Sequence, residues 1–263
     1  MSFHEGLDDH GTYYQVHKVD GTTPILFIHG VGLDHSIWTP QTEFFKNQTT
    51  IVYDLIGHGL STCKLNEISF DDFSNQIDEL LKILRIQKII VIGFSLGGLI
   101  AAHFSSTRKH RVEKNILFGT IFNRTKEQQK NAAERYINVQ KNYLNASHQL
   151  DRWFSEDYLS TNKDVVEKIT NILNSNIHED FLKSYQLFAH FHDKLIDFRE
   201  IEVETLVCTA KDDVGSTPEM SKQLGKVISN SKVVIFDQGK HMVGIERAKE
   251  VNKLFSNFIE GTK

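Results

Sequence analysis

The sequence predicts an α/β fold in which helices flank a mostly parallel central sheet. Short β-branched runs alternate along the chain with patterns of helical spacing, which is typical of a parallel sheet covered on both faces. The middle runs are also almost continuously apolar, as expected of strands buried on both faces. With 263 residues and 40% hydrophobic positions, the chain can bury one sizeable core.

Seven strands and two well-defined helices follow from these patterns. The predicted strands are Tyr13–Val16, Pro24–His29, Thr50–Tyr53, Lys88–Ile92, Lys114–Phe118, Thr205–Thr209 and Lys232–Phe236. A helix over Phe70–Leu84 is predicted from the spacing of Phe73, Ile77, Leu80, Leu81 and Leu84. A late helix is predicted in the same way from Val251, Leu254, Phe255 and Phe258.

The alternation stops between Asn123 and Phe198. This stretch contains no convincing strand, but it carries helical patterns at Ile137, Gln140, Tyr143 and Leu144 and at Phe181, Tyr185 and Phe188. We expect residues 123–198 to form a helical cap (lid) over the edge of the sheet, and residues 1–122 and 199–263 to form the core domain. An ordinary helical layer is the alternative interpretation.

Composition excludes several classes of protein. The 30 Lys and Arg residues against 34 Asp and Glu residues give a net charge of −4, so a nucleic-acid-binding surface is not expected. Two cysteines, Cys63 and Cys208, cannot form a disulfide framework or a multi-cysteine zinc site. His190 and His192 alternate along the chain and should point apart, so we expect no metal.

The chain also lacks the patterns of membrane and secreted proteins. Its longest apolar runs are strand-sized, far short of a membrane span. Its N-terminus has no basic segment followed by an apolar one, as a secretory signal would have. We therefore expect a cytoplasmic protein with no membrane partner.

One motif points directly to chemistry. Gly93-Phe94-Ser95-Leu96-Gly97 follows the predicted strand that ends at Ile92 and begins a predicted helix. This G-x-S-x-G pattern, in a strand–turn–helix context, strains the serine backbone and exposes the serine oxygen at the carboxyl end of the sheet. Ser95 is therefore the candidate nucleophile. A structural serine in a glycine-rich turn is the alternative.

A serine nucleophile needs a general base within hydrogen-bonding reach, and the base needs a group to orient it. His241 is the candidate base, because it follows the last predicted strand and because Gly239 allows a tight loop before it. Two adjacent aspartates, Asp212 and Asp213, follow the preceding strand. Either carboxylate could fix the imidazole tautomer and stabilise its protonated form.

Two backbone amides are candidate donors to a developing oxyanion. One is the N–H of Leu96, which directly follows the serine, and the other is the N–H of Val31, in the loop after the strand that ends at His29. Each such donor stabilises the transition state by about 3–4 kcal/mol. His29 is expected to brace this loop rather than to react.

These segments together resemble the α/β-hydrolase superfamily. They occur in the family's order over nearly the whole chain, as residues 29–38, 54–61, 93–98, 213–218 and 239–241. Within the superfamily the chain is similar to small esterases and 3-oxoadipate enol-lactonase-like hydrolases. The resemblance implies an α/β-hydrolase fold with a helical cap insertion, hydrolysis of a carboxylic ester or lactone, and no cofactor. It also selects Asp213, four positions into its loop, over Asp212 as the acid.

One position departs from the family's pattern. Many relatives have an arginine where this chain has Ile56, so a charged substrate is not expected at that loop. An apolar acyl pocket is expected instead. Its candidate lining residues, of types that more often serve simple core packing, are Phe94, Trp38, Trp153, Phe154 and Tyr185.

The sequence therefore favours acyl transfer on a small ester or lactone, with Ser95, His241 and Asp213 as the catalytic residues. The same residues could instead hydrolyse a C–C bond or an enol-lactone. A ligand-binding or signalling protein on a hydrolase scaffold is a further alternative, because a fold does not fix a function. A haloalkane or epoxide hydrolase is disfavoured, since those relatives use an aspartate where this chain has Ser95.

Overall fold

The computed structural model describes residues 2–142 and 146–262. Its centre is an eight-stranded sheet with the order β1-β2-β4-β3-β5-β6-β7-β8. The strands are β1 (Ser2–Leu7), β2 (Tyr13–Lys18), β3 (Ile25–Ile28), β4 (Thr50–Tyr53), β5 (Ile89–Phe94), β6 (Val112–Phe118), β7 (Glu204–Ala210) and β8 (Ser231–Phe236). The pairs β1–β2 and β2–β4 are antiparallel, and all pairs from β4 to β8 are parallel. The predicted mostly parallel sheet is confirmed.

Helices cover both faces of this sheet and fill the stretch between β6 and β7. They are α1 (Thr39–Phe44), α2 (Phe70–Ile83), α3 (Leu96–Thr107), α4 (Lys126–Asn142), α5 (Ala146–Trp153), α6 (Glu156–Thr161), α7 (Lys163–Ser175), α8 (His178–Ala189), α9 (Pro218–Val227), α10 (Val243–Glu246) and α11 (Ala248–Glu260). Both helices predicted from spacing, α2 and α11, are present. In the described ranges, no helix is long and apolar enough to cross a lipid bilayer.

The strands separate two apolar layers because their side chains alternate between the faces of the sheet. In β3, Leu26 and Ile28 join one core cluster, while Ile25 and Phe27 join the other. All four side chains are completely buried. Burial on both faces explains why the middle strands are continuous apolar runs in the sequence.

All seven predicted strands occur in the structure, with ends displaced by at most two residues. The first strand, β1, is absent from the predicted set. Its residues are mostly exposed, with Phe3 63% and Leu7 57% accessible. Because neither face of β1 is buried, its sequence lacks the alternation of apolar and polar residues that marks a half-buried strand. β1 exists because it pairs in antiparallel register with β2, from Ser2 opposite Lys18 to Leu7 opposite Tyr13.

The stretch between β6 and β7 is helical, and no strand occurs in its described residues. Phe181 and Tyr185 are buried on α8, as their spacing predicts. The helix α4 is present, but the prediction of its buried face is wrong. Ile137 is 45% exposed, and the buried residues are Ala132 and Val139. The two further residues assigned to that pattern, Tyr143 and Leu144, lie outside the described residues.

Candidate active site

The turn between β5 and α3 holds Ser95 in a strained conformation. Its φ of 56° and ψ of −114° lie in a region that side chains other than glycine rarely adopt. A Cβ on Gly93 would overlap the carbonyl oxygen of Gly97, and a Cβ on Gly97 would overlap the carbonyl oxygen of Ile28. Glycine at both positions therefore lets α3 approach the sheet and presents Ser95 at the carboxyl end of β5.

Asp213 and His241 form a buried pair after β7 and β8. The Asp213 Oδ2 atom lies 2.6 Å from His241 Nδ1 and also accepts a hydrogen bond from the Thr209 hydroxyl. Its Oδ1 atom accepts hydrogen bonds from the backbone N–H groups of Gly215 and Ser216. The adjacent Asp212 is exposed.

The surroundings of Asp213 keep its carboxyl group ionised. Burial alone raises its pKa, because a low dielectric disfavours charge. The attraction and hydrogen bond of His241, together with the two backbone donors, outweigh burial and lower the pKa overall. An ionised carboxylate at Nδ1 leaves His241 Nε2 as the atom able to accept a proton.

The His241 ring lies beside the turn that carries the serine. Gly239, with φ of 106°, makes the tight loop before it, as predicted. The ring centroid lies 4.7 Å from that of Phe94 and 6.3 Å from that of Trp153. Ser95 and His241 line the same cavity, although no hydrogen bond joins them in the described part of the chain. Such bonds are often long without substrate and shorten when it binds.

The two candidate oxyanion donors are available. Neither the Val31 nor the Leu96 N–H donates a hydrogen bond to any atom of residues 2–142 and 146–262. Leu96 is the first residue of α3, where the N–H has no partner within the helix. Val31 lines the cavity together with Ser95.

His29 orients the peptide that carries the Val31 N–H. Its Nε2 accepts a hydrogen bond from the Leu55 N–H, so its Nδ1 carries the proton and donates to the Gly30 carbonyl at 2.8 Å. Because the peptide group is planar and trans, fixing that carbonyl turns the Val31 N–H to the opposite side. Burial lowers the His29 pKa to about 4, so the ring stays neutral and fixed in this tautomer. The expected bracing role agrees with this geometry.

The loop after β4 is structural rather than part of the cavity. The buried Asp54 carboxylate accepts hydrogen bonds from the His35 N–H and ring at Oδ1, and from the Leu60 N–H at Oδ2. None of residues 54–61 lines the cavity that holds Ser95. Ile56 packs instead against the core. Ile56 therefore takes no part in lining the cavity.

The cavity beside Ser95 has a volume of about 160 Å³. Among the expected lining residues, Phe94, Trp153 and Tyr185 contribute to it. Trp38 and Phe154 do not, and this part of the prediction is wrong. Trp38 packs against Phe27 and borders a separate void of about 10 Å³, and Phe154 is completely buried against Tyr158.

The cavity is also more polar than expected, because three arginines line it: Arg124, Arg135 and Arg152. The sequence interpretation missed them. The spacing of α4 could have indicated Arg135. This residue lies three positions after Ala132 and four before Val139, so it shares the buried face of the helix. In the described residues, no group of three or more His, Cys, Asp or Glu side chains could hold a metal ion.

Comparisons with known proteins agree with this geometry. Residues 23–248 match the family model described as alpha/beta hydrolase fold. A relative of Acinetobacter baylyi, (E)-2-((N-methylformamido)methylene)succinate hydrolase, is 27% identical over 91% of each chain. The 3-oxoadipate enol-lactonase 1 of the same organism is 23% identical over 94% of this chain and 92% of its own.

A solved structure has the same fold. The enol-lactonase from Burkholderia xenovorans LB400 superposes with a TM-score of 0.83 at 22% identity, covering 95% of this chain and 96% of its own. The family model spans most of the chain and includes Ser95, Asp213 and His241. The chain therefore belongs to the alpha/beta hydrolase fold family and is a hydrolase with an enol-lactonase-like relationship.

Proposed function

We propose that this protein is a serine hydrolase that cleaves a small carboxylic ester or lactone through an acyl-enzyme. One observation carries the proposal: the strained Ser95 lines the same cavity as His241, whose ring is held by the ionised Asp213. A nucleophile, a base and a group that orients the base are the parts that acyl transfer requires.

The proposed reaction has two halves. Ser95 Oγ attacks the substrate carbonyl carbon while His241 Nε2 takes the hydroxyl proton, and the N–H groups of Val31 and Leu96 stabilise the oxyanion. The C–O bond to the leaving alcohol then breaks, and His241 returns the proton to that oxygen. Water next attacks the acyl-enzyme with His241 again as base, which releases the acid and restores Ser95.

The comparisons support an ester bond without fixing the substrate. The relatives include an enol-lactonase by name, and a lactone is a cyclic ester. Ring opening therefore uses the same steps, except that the leaving oxygen stays attached to the product. A panel of methyl esters, lactones and vinylogous diketones with purified protein would rank these bonds by kcat/KM and separate ester from C–C hydrolysis.

The first prediction concerns Ser95. A fluorophosphonate probe should form its adduct on Ser95, and Ser95→Ala should lose both the adduct and ester turnover by about a thousandfold or more. Peptide mapping locates the adduct, and a thermal melt checks that the variant folds. Ser160→Ala, a change at an exposed serine of α6, serves as the control and should label normally.

Labelling of another serine, or undiminished turnover in Ser95→Ala, would overturn the proposal. The kinetics also separate an enzyme from a ligand-binding protein on the same scaffold. Repeated turnovers on simple esters support the hydrolase, whereas one stoichiometric burst with no further product contradicts it.

A further inference from the structure

Three arginines converge on the cavity that contains Ser95. Arg124 precedes α4, Arg135 lies on α4 and Arg152 lies on α5, so all come from the stretch between β6 and β7. Each side chain is partly buried. We call them the cavity arginines.

The cavity arginines have no anionic partner in the described part of the protein. Ion pairs with N···O distances up to 4.0 Å involve the outlying Arg108, Arg111 and Arg247, but none of the cavity arginines. Among the described residues that line the cavity, Asp213 provides the one carboxylate, and His241, Thr209 and two backbone N–H groups already occupy it. Asp193 attracts Arg124 and Asp213 attracts Arg152, but neither carboxylate forms an ion pair with them within 4.0 Å in the residues described.

The contacts of the cavity arginines orient their guanidinium groups without neutralising them. Arg124 donates to the carbonyls of Phe188 and Ala189 and lies over the Phe188 ring, 4.9 Å from its centroid. An Nη2 atom of Arg152 would lie 3.8 Å from a Cβ placed on Gly215, in the loop that carries Asp213. Arg152 is thus at the triad end of the cavity.

All three cavity arginines act electrostatically on the hydroxyl group of Tyr185. Burial raises the pKa of its hydroxyl, and Arg135, Arg152 and Arg124 each act in the opposite direction. The arginines also disfavour one another: burial first, and then repulsion from Arg135, lowers the pKa of Arg124 to about 10 and lowers that of Arg152. Partly buried cations of like charge weaken a protein unless an anion joins them.

The rest of the cavity fits a small, multiply charged ligand. Gln128, Asn131 and Gln149 also line it and add neutral amide donors. Its volume of about 160 Å³ is below the roughly 300–1,000 Å³ of pockets for drug-sized ligands. Guanidinium groups bind carboxylates through two parallel hydrogen bonds, which gives both strength and orientation.

We propose that the substrate is a small ester or lactone carrying two further carboxylate groups. Arg152 binds the carboxylate nearer the scissile bond, and Arg124 and Arg135 bind the distal one beside Tyr185. This inference rests on the proposed hydrolase function and names the class of substrate for that site. It replaces the apolar acyl pocket expected from the sequence.

A graded series of substrates tests the charge requirement. Methyl butyrate has no free carboxylate, monomethyl glutarate has one, and monomethyl tricarballylate has two. We expect kcat/KM to rise by about tenfold to a hundredfold with each carboxylate, the range expected for a charge-assisted hydrogen-bonded contact. Acid release at constant pH measures the rates. A flat series, or the highest value for methyl butyrate, would overturn the proposal.

Arginine variants test which side chains read the charge. Arg135→Met and Arg152→Met should lower kcat/KM on monomethyl tricarballylate by about tenfold more than they lower it on methyl butyrate, because only the first ester carries the carboxylates that these arginines bind. Arg199→Met, at an exposed position outside the cavity, is the matched control. Equal losses on both esters would mean a structural role and would contradict the proposal. Thermal melts verify folding, and Arg135→Lys supplies a milder variant.

A binding measurement separates this inference from the hydrolase proposal. Titration calorimetry on Ser95→Ala with tricarballylate should detect binding that weakens with added salt and is lost in Ser95→Ala/Arg135→Met. Butyrate should bind at least about tenfold more weakly. Tricarballylate binding in a protein that fails the fluorophosphonate test would leave the anion site intact and the hydrolase function wrong. Ester turnover by a protein that binds tricarballylate no more tightly than butyrate would support the hydrolase function and overturn the anion site.

Discussion

Asp213 is constrained on every side of its carboxylate. Four donors fill its two oxygens: the His241 ring, the Thr209 hydroxyl and the N–H groups of Gly215 and Ser216. A buried carboxylate held in this way has one orientation and one protonation state available to it. The imidazole tautomer is thereby set before a substrate arrives, which is what a general base requires.

The exchange Asp213→Asn tests this role at the level of one atom. The amide keeps the shape of the side chain, but it can donate to Nδ1 and hold His241 in the wrong tautomer. We expect kcat to fall by about ten-thousandfold, as for equivalent changes in other triads. Steady-state kinetics on a methyl ester, with a thermal melt for folding, provide the measurement.

Asp212→Asn is the matched control for that exchange. Its side chain is exposed, so kcat should change by less than about threefold. A larger loss of kcat in Asp212→Asn than in Asp213→Asn would show that Asp212, and not Asp213, is the acid.

Individual residues differ in how well the sequence reveals them. The positions of Ser95 and His241 beside one cavity were predictable, because a strand, a glycine and a short loop fix each of them locally. Arg124, which precedes α4, and Arg152, on α5, were not, because in the sequence they resemble ordinary solvated charges. Their convergence depends on how α4 packs against α8 and how α5 packs against α7, which local spacing does not encode.

At the scale of elements, β5 and α3 form one unit with the end of β3. A side chain at Gly97 would overlap the carbonyl oxygens of Ile28 and the neighbouring His29. The close contact between α3 and β3 therefore sets the distance between Ser95 and the loop that carries the Val31 N–H.

We expect Gly97→Ala to separate α3 from β3. The free energy of unfolding should fall by about 3 kcal/mol, the upper end for overpacking, since the obstruction is backbone. Ester turnover should also fall, because the Val31 N–H moves with its loop. Denaturant titration measures the first effect and steady-state kinetics the second.

Gly6→Ala is the control, because no atom lies closer than 3.9 Å to a Cβ at Gly6. Its stability should change by less than about 1 kcal/mol. A Gly97→Ala protein as stable as the Gly6→Ala protein would contradict the packing argument.

Elements in the parallel part of the sheet were predictable for a physical reason. Burial on both faces makes strands such as Thr50–Tyr53 continuous apolar runs, and the structure has that strand with the same ends. β1 was not predictable, because it gains its backbone hydrogen bonds from β2 while its side chains stay exposed. The face of α4 was misassigned because its sequence is too polar for apolar spacing to decide.

At the scale of the whole molecule, buried histidines couple stability to pH. The His29 and His58 rings lie 5.4 Å apart, between centroids. Burial lowers the pKa of His29 to about 4 and, with repulsion from His29, that of His58 to about 3. Between these values and the ordinary 6.5, the unfolded chain binds more protons than the folded one, so stability falls as the pH falls.

The contribution of His58 is measurable by difference. His58→Gln should flatten the decline in the free energy of unfolding between pH 6.5 and pH 4.5, by about 1.4 kcal/mol per pH unit at most. The pH dependence of the wild type alone does not isolate His58, because His35 also contributes to it. Burial lowers the pKa of His35, but the hydrogen bond and charge of Asp54 outweigh burial and raise that pKa overall. His35 therefore adds stability in acid, in the opposite direction.

Denaturant titrations at several pH values provide this comparison, with the exposed His110→Gln as control. Asp213 and Asp54 have lowered pKa values, so their stabilisation is lost only below about pH 4 and falls outside the window. Parallel curves for wild type and His58→Gln would contradict the prediction.

The proposed catalytic groups and the proposed substrate-binding groups come from separate stretches of this chain. Ser95 precedes β6, and Asp213 and His241 follow β7, whereas the cavity arginines all lie between those strands. Mutations confined to one contiguous portion of the gene could therefore alter which molecules are retained while the bond-breaking apparatus is inherited unchanged. Related proteins built in this way could accept different substrates while they keep the same reaction steps.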